Sequence, residues 1–147
     1  MLFSIRPVRR LPLAYWSGFW SLTIFLLLSN GPAYAEWVAL PGGGDDSGLA
    51  VYVDPGTIRS KGDLVKMWSL FNYTTIQTNA SAPYSSYKAQ NEYDCTEERS
   101  RLLAIAFFSG QMGRGQPIHS DSAGDEWNPV APESIGRSLW KRACGKK

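Results

Sequence analysis

Short runs of alternating apolar and polar residues make up most of the chain after residue 35, and turn-forming residues separate them. The alternation predicts strands at residues 36–40 and 49–53, with a flexible loop rich in Gly and Asp at 41–48. The run 64–73 carries apolar groups on both of its faces. We therefore predict a central strand there, because neighbouring elements cover both sides of such a strand.

The second half of the chain continues this pattern. A polar loop is predicted at residues 74–83, followed by a strand at 84–95 whose ends the pattern does not define. Residues 99–108 fit a strand or a helix by pattern alone, and their aromatic and β-branched end favours a strand. The glycine-containing segment 109–115 then predicts a hairpin turn, and residues 117–120 the return strand.

The last segment has the period of a helix instead. Residues 132–134 (Pro-Glu-Ser) are typical of a helix start, and Ile135, Leu139 and Ala143 recur every four positions. Two basic residues follow in the last turn, where cations complement the helix dipole. The sequence therefore predicts an α+β fold: an antiparallel sheet of about five or six strands with a C-terminal helix packed on it.

Residues 1–35 have the three parts of a cleavable signal peptide. Three arginines precede an apolar run at 19–28, and Ala33 and Ala35 then form the small-residue site that a signal peptidase cleaves. Cleavage leaves Glu36 as the new N-terminus and residues 36–147 as one domain, which suits a chain of this length. The sequence thus predicts export.

An uncleaved membrane anchor is the alternative, since residues 11–28 are about as long as a minimal membrane-spanning helix. A proline, a glycine and two serines interrupt that run, which favours cleavage. No second apolar run follows, so we expect no membrane span after cleavage. The residue directly after the cleavage site is not a cysteine, so we also expect no lipid anchor.

The charge balance changes when the signal peptide is removed. The whole chain has a formal charge of +2, but three basic residues lie in the signal and all 13 acidic residues follow it. Residues 36–147 therefore carry one more acidic than basic side chain. There is no basic surplus to bind nucleic acid, and we expect no nucleic-acid partner.

Two cysteines remain, Cys95 and Cys144. In an exported protein an even pair of cysteines indicates a disulfide. Redox catalysis would favour a Cys-x-x-Cys pair, which these residues do not form, and unpaired thiols are the remaining alternative. We predict a structural disulfide.

Candidate chemistry is sparse. His119 is the sole histidine, and no nucleophile motif accompanies it, so an unrecognised hydrolase site built on it is the weaker alternative. The acidic residues Asp121, Asp125 and Glu126 do not match the spacing of a calcium loop. We predict a protein that is not an enzyme and has no metal and no cofactor.

Aromatic residues are the more informative group, because aromatic side chains dominate protein-binding surfaces. Trp68 and Trp140 are predicted to lie in the core. Tyr84 and Tyr87 follow a polar loop, so we predict that they belong to an exposed partner surface.

In the order and spacing of several motifs the chain resembles the surface-adhesin protein E family of Gram-negative bacteria. The motifs are residues 51–54 with Thr57 and Ile58, residues 65–70, residues 92–95, and residues 127–132 running on to Cys144. The resemblance implies an antiparallel sheet with a packed helix and a disulfide between the two matching cysteines. It also implies adhesion to host extracellular-matrix and plasma proteins such as vitronectin and laminin.

These observations together predict an exported, non-enzymatic domain that binds a protein partner and resembles a bacterial surface adhesin. It would lie in the periplasm or on the cell surface of a Gram-negative bacterium. The alternative is a periplasmic accessory or structural protein with no adhesive role. The identity of the partner stays open, as does a homodimer formed through an exposed sheet edge.

Overall fold

A computed structural model of the chain describes residues 35–79, 82–122, 124 and 126–146. The predicted signal peptide, including Ala33, lies outside the described residues except for Ala35. Ala35 and Glu36 are exposed and precede the first strand. Among the described residues, no helix has the length and apolar character needed to cross a membrane.

The described residues form eight strands and one α-helix. In chain order these are β1 (Val38–Gly44), β2 (Leu49–Val53), β3 (Arg59–Lys61), β4 (Leu64–Thr78), β5 (Pro83–Asp94), β6 (Arg99–Phe108), β7 (Pro117–Asp121), β8 (Asn128–Pro129) and α1 (Ile135–Cys144). Six strands form one antiparallel sheet in the order β1-β2-β4-β5-β6-β7, and the short strands β3 and β8 add to β4 and β6. The predicted α+β fold is confirmed.

Two predicted loops are strand in the structure. β1 continues through the Gly-rich segment to Gly44, and its register with β2 is irregular after Ala39. This is possible because β1 is an edge strand, which tolerates Pro and Gly better than a central strand does. β4 continues to Thr78, and a second irregularity between Asn72 and Gln77 gives it extra residues. At that end of the β4–β5 hairpin Thr74, Thr75 and Ile76 are all exposed.

The core lies between α1 and one face of the sheet. Along β4 the alternation predicted from sequence puts Val65 and Met67 beneath the helix, where Met67 is fully buried. The register adds Tyr93 from β5 directly beside Val65. From the helix come Leu139, Trp140 and Ala143. Trp140 is in the core as predicted, whereas Trp68 points to the other face of the sheet and is half-buried.

Two links fix the end of α1 to the end of β5. The Cys95–Cys144 disulfide joins the two elements, as predicted. The indole Nε1 of Trp140 donates a hydrogen bond to the carbonyl of Asp94 at 2.9 Å.

The helix begins three residues later than the sequence indicated, because Ser134 is its N-cap and accepts a hydrogen bond from the Arg137 amide.

Candidate functional site

The face of the sheet that carries α1 continues beyond the helix as a group of aromatic rings. Register places Phe71 of β4 opposite Tyr87 of β5, and Tyr87 opposite Phe107 of β6. Tyr73 and Tyr84 complete the group, which we call the aromatic cluster. Phe71 also packs against the core beneath the helix, so the cluster is an extension of that core. All five side chains are only partly buried.

The rings pack in geometries that aromatic pairs prefer. Phe71 and Tyr87 are stacked, with centroids 4.5 Å apart and planes 10° from parallel. Tyr84 meets Phe107 edge-on at 4.9 Å and Tyr73 edge-on at 5.9 Å. Each ring is therefore held by others, and together the rings form one packed surface.

The tyrosines give this apolar surface polar edges. Burial is the main cause that raises the pKa of Tyr87 and of Tyr73 above the ordinary tyrosine value. Both phenols therefore keep their protons at neutral pH, and their hydroxyls are hydrogen-bonded to each other. An apolar body with a polar rim is typical of protein-binding surfaces.

An exposed aliphatic side chain lies near the tip of the β4–β5 hairpin. Ile76 is 72% exposed, and its neighbour Gln77 pairs with Tyr84 in the register of the β4–β5 hairpin. A large apolar side chain this exposed loses its contact with water only when another molecule covers it. Ile76 thus offers an apolar contact point near the tip of the hairpin that carries Tyr73, Tyr84 and Tyr87.

The segment between β6 and β7 supports the cluster from the opposite face of the sheet. The amide of Met112 donates to Asn72 Oδ1 at 2.6 Å, and the amide of Gly113 donates to Ser86 Oγ at 2.9 Å. Asn72 and Ser86 are buried in β4 and β5. These bonds tie the glycine-containing connection to the two strands that carry most of the aromatic rings.

The structure brings together the two tyrosines predicted from sequence. The ring centroids of Tyr84 and Tyr87 are 6.3 Å apart, and both side chains are half-buried rather than fully exposed. The sequence prediction missed Phe71, Tyr73 and Phe107. Their strand alternation was visible, but only the register of three strands shows that they are neighbours.

The other sequence candidates form no comparable site. His119 is exposed on the edge strand β7, with its ring centroid 6.5 Å from that of Phe107. Asp121 and Glu126 are also exposed, and Asp125 lies outside the described residues. In the part of the chain that the structure describes, no three His, Cys, Asp or Glu side chains are grouped so as to hold a metal ion.

A helix on one half of an antiparallel sheet and a packed aromatic surface on the other half define an α+β domain. Comparison with known families identifies it further. Residues 37–145 match the family described as Surface-adhesin protein E, and the chain therefore belongs to that family.

Solved structures show the same fold. Crystal form II of Haemophilus influenzae protein E superposes with a TM-score of 0.53 at 13% identity, covering 76% of this chain and 97% of that one. Protein E from non-typeable Haemophilus influenzae gives a TM-score of 0.52 at 11% identity, with 75% and 83% covered. No curated protein sequence matches the chain.

Proposed function

We propose that this protein is an exported, non-enzymatic domain that binds a protein partner through the aromatic cluster, in the manner of a surface adhesin. The observation that carries the proposal is the ordered aromatic surface on the part of the sheet beyond α1. The candidate partners are host extracellular-matrix proteins, which the family resemblance implies.

The energetics of such a surface favour protein binding. Tyrosine is enriched among the side chains that contribute most to protein interfaces, because it offers a large contact area at a small cost in conformational entropy. The rings of the aromatic cluster already hold one another in place, so binding would order few additional side chains. Ile76 adds an exposed apolar side chain near the tip of the same hairpin.

Export is supported by the sequence of the first 35 residues and by the family match, which begins at residue 37. We propose that cleavage after Ala35 releases the domain, because Glu36 lies immediately before the matched segment. Determining the N-terminal residue of the purified protein by mass spectrometry tests this step. An intact N-terminus would contradict cleavage.

Location is tested by protease shaving. Intact cells producing the protein are treated with trypsin beside cells whose outer membrane has been permeabilised, and the domain is detected on a blot. Adhesion requires digestion in intact cells. Protection until permeabilisation would contradict a role on the cell surface.

The aromatic surface is tested by paired substitutions. Ile76→Ser should not disturb folding, because the side chain is 72% exposed. The matched control is Val38→Ser in β1, where the side chain is 39% exposed. Binding to immobilised vitronectin and laminin is measured by surface plasmon resonance. We expect Ile76→Ser to weaken binding about tenfold and Tyr84→Ala to weaken it more. The control should change it less than twofold.

Equal effects of Ile76→Ser and Val38→Ser would contradict the assignment of this surface. So would unchanged binding by Tyr84→Ala, provided that its circular dichroism spectrum matches that of the unsubstituted protein. If the protein bound neither vitronectin nor laminin, the result would contradict both the proposed partner class and the adhesive function.

The second candidate is a periplasmic accessory or structural protein, and the disulfide favours it. Both cysteines of the chain are joined to each other, so neither is available to carry a lipid. Two results together would support this function over adhesion. The domain would be protected from trypsin in intact cells, and the protein would capture a periplasmic partner that the Tyr84→Ala variant fails to capture.

We propose that the protein has no hydrolase activity. His119→Ala is the relevant variant, since His119 is the sole histidine in the sequence. Esterase and peptidase assays should give no signal above background for either protein. An activity that is lost on His119→Ala would contradict this proposal.

A further inference from the structure

The face of the sheet opposite α1 carries two rows of charged side chains across four adjacent strands, β3, β4, β5 and β6. The first row, read through the register, is Arg59, Lys66, Glu92 and Arg101. The second row is Lys61, Leu64, Asp94 and Arg99. We call these residues the charged rows. They hold five cations and two carboxylates.

The two carboxylates are buried and already neutralised. Glu92 is 5% exposed and accepts a hydrogen bond from Arg101 Nε at 2.8 Å, while Lys66 Nζ lies 3.8 Å away. Asp94 is 6% exposed and accepts hydrogen bonds from Arg99 Nε and Nη2 at 3.1 and 3.0 Å. The charge that remains open to solvent on this face is therefore positive.

The β3 end of the rows brings like charges together. Arg59 lies directly opposite Lys66, and like charges at such positions destabilise a strand pair. Within the described parts of the chain, Arg59 and Lys61 make no ion pair. They line a shallow pocket of about 440 Å³ together with Ser60, Leu64, Lys66 and Glu92. Arg59 Nη1 donates to the carbonyls of Gly56 and Ile58, each at 2.8 Å, which holds its guanidinium beside the preceding turn. Like charges brought together at a local cost are typical of a binding site.

The β6 end of the rows is held in place by an aromatic ring. The guanidinium carbons of Arg99 and Arg101 lie 5.0 and 4.6 Å from the ring centroid of Trp127. Each guanidinium bonds its carboxylate through Nε and Nη2. Nη1 of each arginine has no partner among the described residues and remains free to donate.

We propose that the charged rows bind an anionic glycan that carries sulfate or phosphate groups. Adjacent strands lie about 5 Å apart, and residues two apart along a strand are about 7 Å apart. The cations therefore start from a grid of backbone positions rather than from one point around a single ion. Sulfate and phosphate accept several charge-assisted hydrogen bonds from Arg and Lys.

A nucleic acid fits this face less well than a glycan. Proteins that bind single strands offer free aromatic rings on which bases stack. Trp127 instead packs against two guanidinium groups. The negative charge balance of residues 36–147 would also repel a long polyanion at a distance, whereas a short charged segment of a glycan meets only the local field.

The test uses the protein produced from the full chain and purified as the cell processes it. The variant is Arg59→Gln with Lys61→Gln, which removes two exposed cations that make no ion pair. The matched control is Lys141→Gln with Arg142→Gln, two exposed cations on α1 with the same total charge change. Binding to a heparin octasaccharide and to a deacylated, phosphorylated lipopolysaccharide core is measured by calorimetry in 0.15 M NaCl.

We expect the unsubstituted protein to bind at least one of the two glycans, and the probe that binds more tightly identifies sulfate or phosphate as the preferred group. Arg59→Gln with Lys61→Gln should weaken that binding about tenfold or more and reduce its dependence on salt. The control on α1 should change it less than twofold.

Three outcomes would overturn the proposal. The first is no binding of the unsubstituted protein to either glycan. The second is an equal loss of binding in the two double variants, which would show that only the total charge matters. The third is binding to a single-stranded DNA oligonucleotide as tight as to the better glycan, which would remove the assignment to a glycan. Because the charged rows lie opposite the aromatic cluster, each result is independent of the matrix-protein assay.

Discussion

Asp94 joins three parts of the fold through one residue. Its Oδ1 accepts hydrogen bonds from the amides of Thr96 and Glu97 and so shapes the turn after β5. Its Oδ2 bonds Arg99 across the β5–β6 hairpin, and its carbonyl accepts the indole N–H of Trp140 from α1. A single carboxylate therefore fixes the turn in which the disulfide begins.

Acid should weaken the fold through Asp94. The hydrogen bond from the Glu97 amide, and next the bond to Arg99, lower the pKa of the Asp94 carboxyl below its ordinary value. Because the pKa of Asp94 is lower in the folded than in the unfolded protein, its ionised carboxylate stabilises the fold. This stabilisation is fully present above the pKa of the unfolded state, near pH 4, and is lost as pH falls through the pKa of the folded state. Urea unfolding from pH 6 to pH 2 should show this loss.

Asp94→Asn is the variant that isolates this effect. It should be less stable than the unsubstituted protein at pH 6, and the difference should shrink as pH falls below about 4. Asp46→Asn, at an exposed position in the β1–β2 loop, is the control and should leave the pH profile unchanged. A constant difference between Asp94→Asn and the unsubstituted protein from pH 6 to pH 2 would contradict the role of the carboxylate.

Tyr93 should tolerate loss of its hydroxyl. The side chain is 2% exposed, and the hydroxyl has no hydrogen-bond partner at good geometry among the described residues. Tyr93→Phe should therefore cost less than the roughly 1 kcal/mol that an ordinary hydrogen bond contributes. Met67→Ala, at a fully buried neighbour on the same face, should cost about 2–5 kcal/mol. Denaturant unfolding gives both values. A cost above about 1 kcal/mol for Tyr93→Phe would show that the Tyr93 hydroxyl is hydrogen-bonded.

At the scale of elements, α1 and the β4–β5 hairpin divide one face of the sheet between them. The helix is ten residues long, about 15 Å, while the β4–β5 ladder extends well beyond it. The part beneath the helix becomes the core, and the part beyond it becomes the aromatic cluster. The length of the helix therefore decides how much of this face remains for binding.

The start of α1 depends on Ser134. Its Oγ accepts a hydrogen bond from the Arg137 amide at 3.1 Å. Ser134→Ala should lower the free energy of unfolding by about 1 kcal/mol, because that amide loses its partner. Ser134→Asp supplies another acceptor at the same position and should stay within a few tenths of a kcal/mol. Thermal unfolding distinguishes the two variants, and equal losses would show that the cap contributes nothing.

At the scale of the whole molecule, two opposite faces of one sheet carry different chemistry. The aromatic cluster lies on the face shared with α1, and the charged rows lie on the other. The disulfide holds the helix on its side of the sheet, because it joins the last residue of α1 to the residue after β5. The alternation of side chains along the strands separates the two surfaces, and the covalent link keeps the helix on the side of the aromatic cluster.

Removal of the disulfide should be costly. Cys95 and Cys144 are 49 residues apart, and in the chain-entropy model a loop of that size contributes about 4 kcal/mol. The double variant Cys95→Ala with Cys144→Ala should lower the free energy of unfolding by that order and should lower the melting temperature. The folded, non-reduced protein should show no free thiol with Ellman's reagent. Two reactive thiols would contradict the disulfide in solution.

The sequence by itself determined the types of element and much of the core. Alternation along residues 64–73 indicates which side chains share a face, and the four-residue period of Ile135, Leu139 and Ala143 indicates the buried side of the helix. Both follow from local backbone geometry, which is the same in any fold. The two cysteines were paired correctly because an exported chain with two cysteines has a single intramolecular choice.

The segments that the sequence assigned to loops show where local pattern fails. Residues 41–44 and 74–78 contain few apolar side chains, yet they continue β1 and β4. Edge and hairpin-end strands are held by backbone hydrogen bonds to a neighbour, and such bonds leave little trace in the side chains. Their strand structure becomes visible only when the partner strand is known.

Neighbours across the sheet were decided by tertiary structure alone. Alternation shows that Tyr87 and Phe107 each point to one of two faces, but it does not show that they meet. In the same way, nothing local indicates that Arg59 lies opposite Lys66 or that Glu92 lies between Lys66 and Arg101. Register is fixed by the packing of all the strands together, since a slip of one residue would turn every side chain to the other face. Both candidate binding surfaces therefore exist only in the folded chain.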